Sequence, residues 1–230
     1  MEPTALSRSQ LLYGADAMSR LADARVIVFG VGGVGSWCAE GLIRSGVGHL
    51  TLVDADCVDV TNINRQLPAE PATVGLPKAD VMADRLRRLM PEAEVEAVCR
   101  FYDAETADTF AIERYDVVID AIDSLASKAH LILSACSKPG LALYSSMGAA
   151  RRVDPGRVQT AEFWRVKGCP LARALRDRFK RESTFPARKF TCVYSEEPPQ
   201  GEPKGTSMPV TATFGLRLAS LAVNGLIKTS

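Results

Sequence analysis

Arg25-Val-Ile-Val-Phe-Gly-Val-Gly-Gly-Val-Gly35 is the stretch that decides the fold. Its apolar, β-branched first half is typical of a buried strand, and Gly30, Gly32 and Gly35 follow at G-x-G-x-x-G spacing. An apolar-periodic segment begins directly after them. Glycine lets the chain turn tightly and lets backbone N–H groups approach a phosphate at a helix start. The stretch predicts a strand, a phosphate loop and a helix, with a tight turn that binds no ligand as the alternative.

The composition is that of a globular α/β protein. The chain has 230 residues, 47% of them hydrophobic, and a net charge of +1 that says little about its partners. No apolar segment reaches the roughly 18 residues that span a bilayer, so we expect a cytoplasmic protein with no membrane segment. We expect one adenylating domain over residues 1–230, divided into an N-terminal arm (1–24), a nucleotide-binding core (25–150) and an extension (151–230).

The six cysteines stand singly, with no C-x-x-C pair. This spacing predicts neither a disulfide framework nor a zinc site. Cys192 differs from the others because a cationic segment precedes it and a Pro/Gly-rich segment follows. It is a candidate nucleophile, with a buried strand cysteine as the alternative.

Strand and helix patterns alternate through the first two thirds of the chain. Predicted strands cover residues 25–29, 49–54, 94–101, 115–122 and 141–146, and predicted helices cover 78–90, 104–113 and 124–137. This alternation predicts a Rossmann-like, mostly parallel sheet with helices on both faces. Asp154-Pro-Gly156 then predicts a hairpin, residues 189–195 a strand and residues 206–220 the start of a long helix. We expect antiparallel C-terminal strands that extend the same sheet.

Polar residues follow two of these strands. Asp54 ends the second strand, where an acid accepts hydrogen bonds from a ribose. The long loop after it carries Asn62 and Arg65, and Lys78 begins the next helix. These three residues offer more phosphate contacts than a nicotinamide cofactor needs. The alternative is that the loop is only a solvated connection. Asp123 follows the strand at 115–122, where a carboxylate suits a Mg²⁺ carried by ATP. The alternative is that Asp123 caps the next helix.

Residues 165–189 contain nine basic and two acidic residues. On the helix predicted there, Arg173, Arg176 and Lys180 share one face opposite an apolar stripe. A one-sided cationic face in a nearly neutral chain favours contact with a nucleic-acid backbone over a plain solvated surface. No RNA-binding module signature accompanies it.

Taken together, the motifs resemble the adenylating domain of the ubiquitin-activating-like superfamily. They are the glycine loop (Gly30, Gly32, Gly33 and Gly35), Asp54-x-Asp56, Asn62-x-x-Arg65-Gln66, Lys78 and Asp120-Ala-Ile-Asp123. Two C-terminal stretches, Lys189-Phe-Thr-Cys192-Val-Tyr-Ser195 and Pro209-Val-Thr-Ala-Thr-Phe-Gly215, are similar to the tRNA threonylcarbamoyladenosine dehydratases of that superfamily.

The resemblance implies an ATP-dependent dehydration that adenylates the threonyl carboxylate of threonylcarbamoyladenosine, beside the anticodon of a tRNA. Its expected ATP site is the glycine loop with Asp54, Asp56, Asn62, Arg65 and Lys78. It also implies Mg²⁺ at Asp123, a homodimer in which Arg8 reaches the neighbouring subunit's nucleotide, a sulfurtransferase as a further partner, and no zinc. Two alternatives stay open: an adenylyltransferase for a ubiquitin-like sulfur carrier, and a nicotinamide-dependent oxidoreductase.

Overall fold

Seven strands form one sheet in the computed structural model, which describes residues 4–201 and 205–228. The strands are β1 (Arg25–Phe29), β2 (His49–Val53), β3 (Glu94–Val98), β4 (Val117–Asp120), β5 (Ala142–Ser146), β6 (Val158–Glu162) and β7 (Thr191–Ser195). The helices are α1 (Ser7–Tyr13), α2 (Ala15–Asp23), α3 (Gly35–Arg44), α4 (Lys78–Leu89), α5 (Leu125–Ser137), α6 (Pro170–Arg181) and α7 (Met208–Lys228).

The sheet order is β3-β2-β1-β4-β5-β7-β6. β1 to β5 are parallel, so their C-terminal ends meet at one edge. Chain order reverses between β1 and β4, and ligands of open α/β sheets bind in the crevice at such a point. The glycine loop leaves β1 at this edge.

Helices cover both faces of the sheet, as the sequence predicts. Side chains of β1 alternate between two apolar cores: Val26 and Val28 pack with the core that includes α3, α4 and α7. Ile27 and Phe29 pack with the core that includes α5 and α6. A strand buried on both faces is continuous in hydrophobicity, which is why the run at 25–29 lacks polar alternation.

The antiparallel extension is confirmed, but its local pairing differs from the predicted hairpin. β7 joins β5 in parallel, and β6 pairs antiparallel with β7. The prediction of a hairpin at Asp154-Pro-Gly156 is wrong, because the described residues between β5 and this turn form no strand and β6 pairs with β7 instead. The backbone N–H groups of Val153 and Asp154 instead donate to the carboxylate of Glu197.

The predicted helix at residues 104–113 is also wrong. Two short 3-10 helices, Ala107–Phe110 and Ile112–Arg114, replace it, and Ala111 between them has φ 44°. The break turns Phe110 onto Phe29 and Tyr102, with ring centroids 5.3 and 5.5 Å away. Packing of this aromatic cluster outweighs the helical propensity of the segment.

α7 is long and apolar because it lies within the fold. It meets the length and composition criteria for a membrane span, with mean hydropathy 1.4, yet half of that window is buried. Its residues Val210, Phe214 and Leu218 belong to the same apolar core as Leu42 of α3. A core helix of a globular protein explains its composition, and its position agrees with the long helix predicted to start within residues 206–220.

Candidate active site

The glycine loop turns so tightly that side chains are excluded at two of its positions. Gly30 has φ +89°, and a Cβ there would lie 2.7 Å from the carbonyl oxygen of Ala121. A Cβ on Gly35 would lie 1.7 Å from the carbonyl oxygen of Gly30. The loop therefore holds the start of α3 directly against the end of β1, the arrangement that presents backbone N–H groups to a phosphate.

Three charged side chains lie beside this loop at the end of β2. Asp54 accepts hydrogen bonds from the N–H of Val31 (2.6 Å) and of Asp56 (2.9 Å). Burial raises the pKa of Asp54, and these two N–H donors and Lys78 oppose the rise. Lys78 Nζ lies 2.8 Å from Oδ2 of Asp56. The Lys78 side chain is only 8% exposed, so the ammonium is fixed at the cavity wall.

Arg65 and Gln66 close the other side of the loop. Arg65 donates to the carbonyl of Thr61 (2.8 Å) and to Oδ1 of Asn64 (2.9 Å), and its stem packs against Gly33. The side-chain oxygen of Gln66 is buried without a hydrogen-bond partner among the described residues. A Cβ at Gly32 would lie 3.7 Å from Gln66 Nε2. The absent side chains at these glycines leave room for a ligand.

Asn62 is held by a local contact in the loop that leads to Arg65. Its Oδ1 accepts from the N–H of Asp59 (3.1 Å), which forms one half of a capping box around a short 3-10 helix. Asn62 is 8% exposed and is not part of the cavity wall. Asn62 thus shapes the loop that carries Arg65, and its contact with phosphate stays a prediction.

Asp123 lies where the sequence predicts, just beyond β4 and exposed at the cavity. Its alternative as a helix cap is not borne out, because Ser124 occupies the cap position of α5. Behind it lies Asp120 of the same motif, whose buried partner, Lys128, the sequence did not indicate. Lys128 Nζ lies 2.7 Å from Oδ1 of Asp120, and both side chains are 0% exposed. A lysine four residues after the cap of an amphipathic helix looks like a surface residue, so no pattern marked it.

Cys192 is not placed as a nucleophile. It lies in β7, is 0% exposed, and pairs across the sheet with Ser145. Burial raises the pKa of the Cys192 thiol well above its ordinary value, although Lys128 lowers it. A nucleophilic cysteine needs a thiolate and access to substrate. The alternative of a buried strand cysteine is the one that the structure supports.

The basic helix is α6, and its apolar stripe is buried as predicted. Leu175 and Phe179 are 0% exposed, while Arg173 and Lys180 point to solvent. Arg176 differs: its NH1 donates to the carbonyls of Phe163 (3.2 Å) and Val166 (3.0 Å). Its guanidinium also lies 5.8 Å from the Phe163 ring centroid. Arg176 thus ties α6 to the loop before it.

One cavity of about 670 Å³ joins these groups. Its nucleotide side comprises the glycine loop, Asp54, Asp56, Arg65, Lys78 and Asp123. Its second side, here called the acceptor lobe, is formed by residues from 146–152 together with Pro170, Leu171 and Ala174 of α6. A cavity of this volume has room for a nucleotide with a second small reactant beside it. Arg8 is exposed on α1 and is not part of this wall.

The cations and acids of the cavity suit a phosphorylated ligand with its own metal ion. Among the described residues, no group of three or more His, Cys, Asp or Glu side chains is placed to hold a metal. A single carboxylate such as Asp123 fits Mg²⁺, which binds proteins through one or two carboxylates and keeps phosphate and water ligands.

Comparison with known proteins agrees with this geometry. The model of the ThiF family matches residues 6–230. The tRNA threonylcarbamoyladenosine dehydratase of Bacillus subtilis is 43% identical over 193 residues, covering 84% of this chain and 75% of the relative. The molybdopterin-synthase adenylyltransferase of Escherichia coli is 35% identical over 182 residues, covering 79% of this chain and 68% of the relative.

A solved structure extends the match to the whole fold. The crystal structure of E. coli tRNA N6-threonylcarbamoyladenosine dehydratase, TcdA, in complex with ATP superposes with a TM-score of 0.90. The two chains are 38% identical, and the match covers 96% of this chain and 93% of that one. The same E. coli protein has also been solved in complex with AMP.

Proposed function

Since the chain belongs to the ThiF family, we propose that it is an ATP-dependent tRNA threonylcarbamoyladenosine dehydratase. The observation that carries the proposal is the single cavity in which a phosphate-binding loop and its cations adjoin an acceptor lobe. The relatives and the superposing structure named for this activity support the same assignment.

The reaction adenylates a carboxylate and then closes a ring. A threonyl carboxylate oxygen attacks the α-phosphorus of ATP, a bond to that oxygen forms, and pyrophosphate leaves. A nitrogen or oxygen of the carbamoyl part of the same group then attacks the activated carbonyl, the group gives up one proton, and AMP is expelled. The nucleoside has lost one water, whose oxygen leaves in AMP. Holding both reacting groups in one molecule makes the closure favourable without a protein nucleophile.

The side chains of the cavity account for the first step. N–H groups of the glycine loop and the Arg65 and Lys78 cations offset negative charge on the departing pyrophosphate. Asp54 accepts hydrogen bonds from the ribose of ATP. In the structure Lys78 is paired with Asp56, so the ammonium is already held in place before a phosphate arrives.

Mg²⁺ is the metal we propose at Asp123. The carboxylate is exposed at the cavity, where it would hold Mg²⁺ together with phosphate oxygens of ATP and water. Bound there, Mg²⁺ would neutralise phosphate charge. Asp123 holds the ion, and the buried pair behind it, Asp120 with Lys128, fixes the turn from which Asp123 projects.

The tRNA would lie over the outer end of α6. Arg173 and Lys180 are exposed there, and Arg165, Lys167 and Lys189 are exposed on the neighbouring loops. Trp164 and Phe185 are 40% and 54% exposed, with ring centroids 6.2 Å apart. Cations that contact phosphates and aromatic rings that stack on unpaired bases suit an anticodon loop.

A homodimer is the assembly we propose. α1 has no buried residues among those described, and it presents Leu11 and Leu12 at 79% and 74% exposure beside Arg8. A second copy covering these leucines would place Arg8 in a position to reach its partner's nucleotide. A sulfurtransferase partner and a cytoplasmic location complete the proposal, as expected for a tRNA-modifying enzyme.

A second function has a specific observation in its favour. The identity to a molybdopterin-synthase adenylyltransferase fits activation of a ubiquitin-like sulfur carrier by the same ATP site. A nicotinamide-dependent oxidoreductase has no such support, because Arg65 and Lys78 supply more positive charge at the cavity than the single pyrophosphate of a nicotinamide cofactor needs.

One experiment separates these functions. The protein is incubated with ATP, Mg²⁺ and tRNA bearing threonylcarbamoyladenosine, and the nucleosides are weighed by mass spectrometry. We expect the modified nucleoside to lose one water mass only when ATP is present. No loss, together with ATP–pyrophosphate exchange that requires a sulfur-carrier protein and ignores tRNA, would favour the second function.

A further inference from the structure

Arg152 is a buried cation on the wall of the acceptor lobe. Arg152 is only 3% exposed, yet it is one of the residues that line the cavity. NH2 donates to the carbonyl of Gly168 at 3.3 Å. Nε and NH1 are buried and have no hydrogen-bond partner among the described residues. Two donors of a charged group are therefore unsatisfied at a point where a ligand can bind.

The guanidinium stays charged in this setting. Burial lowers the pKa of Arg152, and Cys169 and Glu197 act in the opposite direction. An arginine whose pKa starts this high is not deprotonated at neutral pH. A buried cation with unpaired donors is costly, so such a group is retained where a bound anion compensates it.

Glu197, the carboxylate that acts electrostatically on Arg152, already has other hydrogen-bond partners. The carboxylate of Glu197 accepts from the N–H groups of Val153 and Asp154, and Gln200 Nε2 donates to it at 2.7 Å. Although burial opposes ionisation, these donors and Arg152 lower the pKa of Glu197. Glu197 thus holds the backbone that follows Arg152, without forming a salt bridge to it among the described contacts.

The backbone before Arg152 is fixed as well. Arg151 has φ 63°, in the left-handed region that non-glycine residues rarely adopt. Its N–H donates to the carbonyl of Gly205 and its carbonyl accepts from the N–H of Gln200, both at 2.8 Å. A strained residue held on both sides turns the next side chain inward, which indicates a position set for function.

We propose that Arg152 binds the carboxylate of the threonylcarbamoyl group in the acceptor lobe and orients it toward the α-phosphate. The inference rests on the proposed function and identifies the substrate subsite. The planar guanidinium fork matches a carboxylate with two parallel hydrogen bonds. Apolar and small neighbours, Met147, Ala149 and Leu171, suit the remainder of a threonyl group. Backbone phosphates of tRNA are a poorer match, because Arg152 is interior whereas Arg173 and Lys180 are at the surface.

Equilibrium binding of two tRNAs tests the inference without turnover. The tRNAs share one sequence, and one carries threonylcarbamoyladenosine whereas the other carries adenosine. Both are titrated in the presence of Mg²⁺ and a saturating ATP analogue whose α,β bridge is methylene. Wild type, Arg152→Gln, Arg152→Lys and a control, Arg87→Gln, are compared. Arg87 donates to Val95 and Asp84 away from the cavity, so the control removes the same charge at another site.

We expect the wild type and the control to prefer the modified tRNA. In Arg152→Gln this preference falls about 30-fold or vanishes, as expected when two charge-assisted hydrogen bonds are lost. Affinities for unmodified tRNA and for the ATP analogue stay unchanged. Arg152→Lys keeps the charge but not the planar guanidinium fork, and we expect it to lose part of the preference. If Arg152→Gln does not fold, Arg152→Lys is the variant that tests the inference.

Three results would overturn the inference. A folded Arg152 variant that keeps the full wild-type preference would show that the carboxylate binds elsewhere. A variant that loses affinity for the ATP analogue instead would place Arg152 in the nucleotide site. A wild type that binds both tRNAs equally would show no carboxylate subsite. If the wild type also fails to remove water from the nucleoside, the proposed function fails with it; if water is removed, only the Arg152 inference fails.

Discussion

The ammonium of Lys128 and the carboxylate of Asp120 lie 2.7 Å apart with both side chains fully buried. Asp120 also accepts from Ser145 Oγ (2.6 Å) and from the N–H of Ile122 (3.1 Å). The second of these bonds closes the turn that carries Asp123. The pair therefore joins α5 to the end of β4 directly beneath the residue proposed to hold Mg²⁺.

Removing Lys128 leaves Asp120 as an uncompensated buried charge. We expect Lys128→Met to lower the free energy of unfolding by about 3–5 kcal/mol in urea titrations. Adding Asp120→Asn to that variant should restore part of the loss, because the orphaned charge is removed. A loss below about 1 kcal/mol for Lys128→Met would mean that the buried pair is not formed in solution.

Asp123→Asn removes the carboxylate proposed to bind Mg²⁺ but preserves its shape. We expect the dehydration rate to fall by at least about 100-fold, because charge on the leaving pyrophosphate is no longer neutralised. The unfolding free energy should not change, since Asp123 is exposed. Single-turnover assays measure the rate, with Asp108→Asn, an exposed acid outside the cavity, as the control. Full turnover in Asp123→Asn would contradict the site assignment.

Cys192→Ala tests whether a covalent step on the protein exists. Since the thiol is buried and its pKa is raised, we expect activity to persist within about tenfold of wild type, the loss reflecting a small cavity in the core. Thiol-reactive reagents should label the exposed Cys57 and Cys99 before Cys192. Complete loss of activity with ATP binding intact would instead identify Cys192 as a nucleophile.

The cations of α6 should govern the salt dependence of tRNA binding. For Arg173→Ala and Lys180→Ala we expect weaker binding of modified and unmodified tRNA alike, with the slope of log K against log salt reduced by about one per charge. Titrations at several salt concentrations measure this slope. Arg88→Ala, which removes an exposed cation from α4, should leave the slope unchanged. An equal effect at Arg88 would mean that α6 is not the tRNA surface.

The nucleotide side of the cavity was predictable from the sequence because backbone geometry dictates it. Gly30 and Gly35 have no room for a Cβ, and Asp54 directly follows β2, a strand that is buried from its second residue onward. A backbone requirement of this kind is visible in the sequence as a local pattern of residue types. Lys128 and Arg152 show no such pattern, because the burial of each charge depends on its contacts with other segments of the fold.

Tertiary packing explains the local errors. Residues 104–113 carry helix-forming side chains, but Phe110 packs with two other aromatic rings and the helix is broken at Ala111. Asp154-Pro-Gly156 carries the residues of a hairpin turn, yet the neighbouring N–H groups of Val153 and Asp154 donate to Glu197 instead of to a paired strand. In both cases the local sequence pattern is the same whether or not the competing contact exists.

The most direct test of the account follows the oxygen of the carboxylate. tRNA bearing threonylcarbamoyladenosine with oxygen-18 in its threonyl carboxylate is incubated with the protein, ATP and Mg²⁺, and the products are analysed by mass spectrometry. We predict that one labelled oxygen appears in AMP and that pyrophosphate is unlabelled, because the carboxylate attacks the α-phosphorus. Label in inorganic phosphate, with ADP as the nucleotide product, would contradict adenylation and the account built on it.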